Sequence, residues 1–448
     1  MPTFLHTADW HLGKRLHDFW LIDEQREALE RLLDVVDAER PDAVLLAGDV
    51  FDAPIPPVRA LQLWEWAAER IVARRGVPLV VIPGNHDHAE RLAMNARMAR
   101  TAGLHVLNQL ATVDRPVRIA GVDVFGVPFH KPAHVRSWRN AEDDGDADTT
   151  EDASGPLGDF DYHAAMAALL DRARAQRTPG VPAIALAHAF VEGGGEESDG
   201  EDALMVGGAG GVRPDCFQGF AYVALGHLHT PRTLTGSTPL RYAGGLYPYA
   251  FDEPGDKSVT LIDVPASAGA DAGGIEIRQA PLPVRRKVRM VSDVSFDEVI
   301  AHGEAARRAK QAREAGEEAA AQPDAAAAEA HGDPDDYLWI TVTDRQPIDN
   351  ALRRLREVHP HALLEQPAII AQDEATPLTG NTRTMRAGDA FLSFYRHVFG
   401  SDPSDLEREV LHEVLAQDDE PGDEVNESEP NPREGVSGRS EAEGETSP

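Results

Sequence analysis

Five apolar runs in this chain end in side chains that bind metals, and this repeated punctuation constrains the fold more than any bulk property. The run at 77–82 closes in Pro83-Gly84-Asn85-His86-Asp87. Phe4-Leu5 leads into Asp9-Trp10-His11, 43–47 into Gly48-Asp49, 183–187 into His188, and 222–225 into Gly226-His227-Leu228-His229. Short apolar runs bounded by turn residues read as strands, here of a sheet presenting one site at its carboxyl edge. Strand ends in layered α/β sheets are where loops carry function. Asp9 and His11 are two apart, as are His227 and His229, and in extended backbone that spacing puts both side chains of a pair on one face. Glycine before the ligand at Gly48, Gly84 and Gly226 permits close backbone approach in each turn.

The clusters supply seven candidate ligands: Asp9, His11, Asp49, Asn85, His188, His227 and His229. The set is all nitrogen and oxygen, too many for one tetrahedral ion and suited to two five- or six-coordinate divalent ions such as manganese, iron or zinc. Asp49, alone in its cluster and carrying two oxygens, is the natural bridge. Two ions about 3.5–4 Å apart clamp the attacking and leaving oxygens of a phosphate ester. His86 stands beside the ligand Asn85 and is the candidate general acid for a leaving oxygen. His6, His17, His88, His130 and His134 lack the strand-end pattern and read as packing or loop residues.

In chain order, 18–40 has helical apolar spacing that ends at Pro41, and 58–75 and 88–102 read as further helices. Strands are expected at 104–107, 117–120 and 122–127, then an irregular region from Pro128, an acidic surface insertion at 141–161 and a helix at 162–176. A glycine-rich acidic loop spans 192–211, and 240–263 alternates in strand fashion. The Ala/Gly/Ser composition near 265–275 marks a domain boundary. Beyond it, 284–294 and 337–343 read as strands and 348–358 as a helix, in a small domain over 284–370 with an Ala/Glu-rich insertion at 304–334. Two amphipathic helices at 388–416 fit either a partner-binding pair or a hairpin docked on the chain's own domain. The acidic tail 417–448 reads as disorder.

Charge bears on the partner. The net charge is -33, but 141–161, 192–202 and 418–448 together hold -24 of it. The acidity is thus concentrated in segments that read as solvated additions, which leaves a nucleic-acid partner open without a basic stripe to support it. Cys216 is the single cysteine, so neither a disulfide framework nor a thiolate metal site is expected, and a reducing cytoplasmic compartment follows. Neither a signal peptide nor an apolar stretch of the roughly 18 residues needed for a membrane span is expected.

The phrases Asp9-x-His11, Gly48-Asp49, Gly84-Asn85-His86-Asp87, a lone His188 and Gly226-His227-x-His229 resemble the calcineurin-like metallophosphoesterases. His6-Thr-Ala-Asp-Trp-His-Leu-Gly13, Ala47-Gly-Asp-Val-Phe-Asp52 and Ala224-Leu-Gly-His-Leu-His229, with Arg241-Tyr-Ala-Gly-Gly245, are closer still to the SbcD subunits of bacterial SbcCD nucleases. That resemblance covers about 1–265 strongly and 285–416 loosely. It implies a four-layer αββα sandwich, a small α+β capping domain and a C-terminal helix pair. It implies two manganese ions, one on Asp9, His11, Asp49 and His229 and the other on Asp49, Asn85, His188 and His227, with His86 as catalytic acid. It further implies a DNA nuclease with 3′ to 5′ exonuclease action on duplex ends and endonuclease action on single strands and hairpins. Its partner would be the SMC-type ATPase subunit SbcC, bound through 388–416 in an assembly with two copies of each subunit. A phosphodiesterase or phosphatase for a smaller substrate on the same scaffold is the rival reading, and a clamp subunit with a purely structural metal site is a further one.

Overall fold

The computed structural model describes residues 1–144, 160–193, 211–253, 255–265, 274–315, 332–366 and 408. The chain opens with β1 (Thr3–Thr7), a small hairpin of β2 (Arg15–Leu16) and β3 (Phe19–Trp20), and helix α1 (Ile22–Glu39). Then follow β4 (Ala43–Ala47), α2 (Val58–Ala68), β5 (Leu79–Ile82), the short helices α3 (Ala89–Leu92) and α4 (Ala96–Ala99), and β6 (Leu104–Val106). The second half of the main body carries β7 (Val117–Ile119), β8 (Val122–Val127), α5 (Pro132–Asp144), α6 (Tyr162–Ala175) and β9 (Ala183–His188). It ends with β10 (Tyr222–Gly226), β11 (Arg232–Leu234), β12 (Leu240–Tyr242), β13 (Lys257–Asp263) and β14 (Glu276–Leu282).

Two six-stranded sheets result, in the orders β14-β13-β1-β4-β5-β6 and β11-β12-β10-β9-β8-β7. β1, β4, β5 and β6 are parallel, while β13 joins β1 antiparallel with Thr3 opposite Asp263. In the second sheet β8, β9, β10 and β12 are parallel, edged by antiparallel β7 and β11. The period of two along each strand divides the core into three slabs. Phe4, Leu45, Val80 and Ile82 meet Ile184, Leu186 and Ala224 between the sheets. Their alternates Leu5, Val44, Leu46 and Val81 face Leu29, Leu32 and Leu63 of α1 and α2. On the far side Ala185, Val223 and Leu225 face Met166, Leu169 and Leu170 of α6. Helix, sheet, sheet and helix make the expected αββα sandwich, and burial on both faces explains why its strands are unbroken apolar runs.

Beyond β14 come β15 (Val288–Val294), α7 (Phe296–Glu314), β16 (Tyr337–Val342), a helix α8 (Ala351–Val358) and β17 (Ala362–Glu365). The strands form one parallel sheet, β15-β16-β17, whose core joins Val291, Phe296, Val299, Leu338, Ile340 and Leu355. Among the described residues strands and helices alternate and the strands pair in parallel, an α/β order where α+β was expected. A second small cluster, Leu16, Leu21, Tyr247, Tyr249, Val288 and Tyr337, joins its sheet to the β2–β3 hairpin and the loop after β12.

Several local expectations change. The segment read as helix from 18 begins with a hairpin, and the helix starts at Ile22. The helix expected over 58–75 passes at Glu69–Arg74 into a π-helical turn. The helix expected over 88–102 breaks where Asn95 takes a φ of 63°. The irregular region after Pro128 is a helix from Pro132, where proline suits a first turn. The strand pattern at 240–263 is two strands separated by a long loop, β11 and β17 add to the strands expected, and the helix α7 runs into the insertion read from 304. β14 pairs with β13, so the first sheet runs past the boundary read near 265. Most of the acidic insertions, and the whole of 417–448, lie outside the described residues; so does the helix pair at 388–416 apart from residue 408. Among the described residues, no helix is long and apolar enough to cross a membrane.

Candidate metal centre

Every loop that carries a candidate ligand leaves the carboxyl end of a parallel strand, three from the first sheet and two from the second. After β1 the chain turns at Asp9 and runs beside the loop after β4: the Asp9, His11 and Leu12 amides donate to the carbonyl oxygens of Gly48, Asp49 and Val50 at 3.1, 3.0 and 2.9 Å. Asp9, His11, Asp49 and His227 have φ of 51°, 42°, 48° and 110°. Their side chains are therefore aimed by left-handed turns, not by the extended backbone that the two-residue spacing suggested. Four such non-glycine residues in one cluster are strain of about 1–3 kcal/mol each, a pattern that concentrates at functional sites.

The glycines do more than turn. A Cβ on Gly48 would stand 2.2 Å from His188 Nδ1, one on Gly84 2.1 Å from Asp49 Oδ1, and one on Gly226 1.8 Å from the Ala47 carbonyl oxygen. Each is a place where a loop of one strand touches its neighbour or the opposite sheet.

All seven candidate ligands come together. His11 Nε2 lies 3.0 Å from His229 Nε2 and 3.5 Å from Asp49 Oδ2. His188 Nε2 lies 3.3 Å from the same Asp49 oxygen and 2.8 Å from Asn85 Oδ1, which is 3.2 Å from His227 Nδ1. Asp9 Oδ1 is 3.8 Å from His188 Nδ1, and its carboxylate accepts the His227 amide. Asp9, His11, Asp49 and His188 are at most 1% exposed. Two donor groups thus meet at Asp49.

His86 sits on the rim, partly exposed. Its amide donates to Asp49 Oδ1 and its Nδ1 to the Asp52 carbonyl oxygen, both at 2.9 Å. It belongs with His11 and Asp49 to a set of donor atoms all within 4.8 Å of one another. His6, His17 and His130 stay out of the cluster: His6 bonds Tyr222 at 3.0 Å, His17 packs on Phe251 and Trp339, and His130 bonds the Pro128 carbonyl oxygen.

The donor set fits a pair of divalent cations. Asp49 Oδ2 is buried without a hydrogen-bond donor. His188 Nδ1 donates to the Ala47 carbonyl oxygen at 2.9 Å, which leaves its Nε2 lone pair facing that carboxylate. His229 Nδ1 faces Glu253 at 2.9 Å, leaving a second lone pair aimed at His11 Nε2. Nitrogen and oxygen donors converging on one buried carboxylate are what a cation would neutralise. Without the cations, burial holds the Asp9 carboxyl up at about 7 against the pull of His188 and His229. Burial likewise holds His11 down at about 4. For His188, burial is outweighed by the Asp49 carboxylate, which lifts it to about 10. Asp49 itself is kept below the usual carboxylate range: burial would raise it, but His188, His11 and His86 prevail. A strongly perturbed, buried group of mixed sign is the electrostatic mark of a site.

The supporting shell was largely missed. The Asp87 carboxylate accepts the amides of Val50, Phe51 and Gly84. Gln25 on α1 donates to the carbonyl oxygens of Trp10 and His11 and accepts from Gly13. Tyr249 donates to the Trp10 carbonyl oxygen at 2.6 Å, and its ring packs on His11 and His229. Asp87 stands within the leading motif and could have been found; Gln25, Tyr249 and Glu253 carry no local signal.

The family model for calcineurin-like phosphoesterases matches residues 2–231. The chain is similar to three bacterial proteins, each named as the SbcD component of the nuclease SbcCD. That of Rhodobacter capsulatus is 38% identical over 298 residues, 62% of this chain and 69% of the relative. That of Bacillus subtilis is 35% identical over 280 residues, 61% and 68%. That of Staphylococcus epidermidis is 31% identical over 261 residues, 58% and 65%. The matched region spans about two thirds of the length of each.

Proposed function

The chain belongs to the calcineurin-like phosphoesterase family, and from that membership we propose that it is the metal-dependent DNA nuclease subunit of an SbcCD-type complex. The observation that carries the reading is the meeting of two nitrogen–oxygen donor groups at the buried, donor-less Asp49 Oδ2, with His86 on the rim above them.

One ion, manganese in this reading, would be held by Asp9, His11, Asp49 and His229, and the other by Asp49, Asn85, His188 and His227. When bound, the pair supplies Lewis acidity and an activated water for attack on a phosphodiester. The chain's own groups do the rest. The Asp52 carbonyl oxygen accepts a hydrogen bond from His86 Nδ1–H and fixes the ring, so that Nε2 is the atom that would deliver a proton to the leaving oxygen. Anchoring the His86 amide on Asp49 ties the acid to the ligand shared by both groups, which is the positioning that phosphoryl chemistry rewards.

The DNA substrate, 3′ to 5′ action on duplex ends, cutting of single strands and hairpins, an SbcC-type ATPase partner bound through 388–416, a two-plus-two assembly and a cytoplasmic setting complete the proposal. Its support is the similarity to the SbcD proteins and the presence of the small βαβαβ domain beyond the sandwich.

The test is digestion of end-labelled duplex and single-stranded DNA with manganese, alone and with the ATPase partner and ATP. Wild type should cut, and His86→Ala should keep two ions while losing roughly 10²–10⁴-fold in rate. Hydrolysis of a small phosphodiester without DNA cutting under any condition would overturn the DNA assignment and leave the scaffold reading. Deleting 388–416 should abolish co-purification with the partner.

A further inference from the structure

His229 has a supporting shell unlike those of the other cluster histidines. His188 and His86 each rest Nδ1 on a backbone carbonyl oxygen, and His11 Nδ1 faces Asp52 at 3.4 Å, whose side chain is 28% exposed. His229 Nδ1 instead meets Glu253 Oε1 at 2.9 Å, and Glu253 is 4% exposed. The second carboxylate oxygen, Oε2, accepts from Lys257 Nζ at 2.5 Å, and the same ammonium donates to the His229 carbonyl oxygen at 3.1 Å. Lys257 is 3% exposed. One residue is therefore held at both ends, ring and backbone, by a buried ion pair.

A buried ion pair costs more to desolvate than a surface one and is weak evidence for stability as such. Its placement points elsewhere. A carboxylate on Nδ1 fixes the imidazole as the Nδ1–H tautomer, turns the Nε2 lone pair into the site and makes it a stronger donor. A bare glutamate this deep would itself need a counter-charge. Lys257, on the first position of β13, supplies it from the strand that edges β1, so the orientation of His229 is built into the first sheet although the residue belongs to the second.

We propose that Glu253 and Lys257 are positioning residues that set the affinity of one ion of the pair, the one held between His11 and His229, while leaving the other to the Asn85–His188–His227 group. This rests on the two-ion reading above. It assigns to the end of the loop before β13 control over whether the centre fills with one ion or two.

The experiment is manganese titration of the full chain, followed by calorimetry and electron paramagnetic resonance. Wild type should take two ions per chain and show the spectrum of an exchange-coupled pair. In Glu253→Leu/Lys257→Met both charges are removed together, so none is left stranded. This variant should bind the first ion as wild type does, weaken the second by roughly 10–100-fold, and show isolated manganese at one equivalent. Glu253→Gln keeps the acceptor oxygen and the shape but not the charge, and should recover part of that loss on the same ion. Unchanged affinity for both ions in either folded variant, judged by melting in chelator, overturns the inference while the two-ion reading stands. A wild type that takes only one ion overturns both.

Discussion

The carboxylate of Asp87 and the amide of Phe51 stand 2.9 Å apart, and the same carboxylate takes the Val50 and Gly84 amides at 3.0 and 2.9 Å. One side chain therefore ties the loop after β4 to the loop after β5. Asp87→Ala leaves three donors without an acceptor, and we expect a loss of about 2 kcal/mol or more in urea unfolding. Asp87→Asn, with one accepting oxygen, should lose less. Both should weaken manganese binding, because the tied loops carry Asp49 and Asn85.

At Gly226 there is no room for a methyl group: a Cβ would meet the backbone oxygen of Ala47 at 1.8 Å, across the two sheets. Backbone cannot swing aside as a side chain can. Gly226→Ala is expected to cost about 3 kcal/mol or more, from overpacking alone. Gly76→Ala is the control. Its φ is 68° and nothing lies within 4 Å, so only the left-handed conformation is penalised, by about 1 kcal/mol. Melting temperatures of the two variants should separate clearly.

His6 links stability to pH. Burial, helped by the Arg241 charge and partly opposed by a hydrogen bond to the Leu225 backbone, lowers it from 6.5 to about 3. Its folded value lies below its unfolded one, so the unfolded chain binds the extra proton between those pH values. The contribution is complete above about pH 6.5 and is lost as pH falls toward 3. At pH 4.5 this amounts to about 2–3 kcal/mol. In chelator, wild type should lose about that much more stability than His6→Gln between pH 7 and 4.5. Equal losses would remove His6 from the acid response.

Cys216 should be inert in the native protein. Burial and the neighbouring Asp215 push its thiol up to about 12, and its residue is 8% exposed. Alkylation by iodoacetamide at pH 8 is expected to be at least about a hundredfold slower than in urea. Rates that match in the two conditions would mean that the segment Pro214–Phe217 opens readily.

Much of the site was legible because its residues sit at strand ends, where the apolar run stops and a polar cluster begins. The seven candidate ligands and His86, which the structure gathers in one cluster, needed only that pattern, together with the resemblance it carries. The geometric reason offered for the Asp-x-His and His-x-His pairs was nonetheless incorrect, because φ at Asp9, His11 and His227 is positive and the backbone there is not extended. What stayed hidden was whatever depends on pairing between distant segments. Gln25 reaches His11 from α1, and Glu253 reaches His229 from 24 residues away. β14 falls beyond the boundary read near 265 because its own sequence shows alternation without the apolar density of a central strand, which suits its place at the sheet's edge. The helix at 88–102 is shorter than its pattern because apolar spacing does not reveal a left-handed residue such as Asn95.

The pairing of β1 with β13 has a consequence for synthesis. Thr3 opposes Asp263, so the first strand made is flanked on one side by the strand at Ala43–Ala47 and on the other by one that arrives roughly 250 residues later. At about 5–20 residues per second, a ribosome needs tens of seconds to deliver it. During that interval the Phe4 to His6 backbone has an open edge in a half-built sheet, beside strands that are entirely apolar. The nascent chain is therefore most exposed to mispairing before residue 263 emerges, and a chaperone that shields its beginning would act in that window.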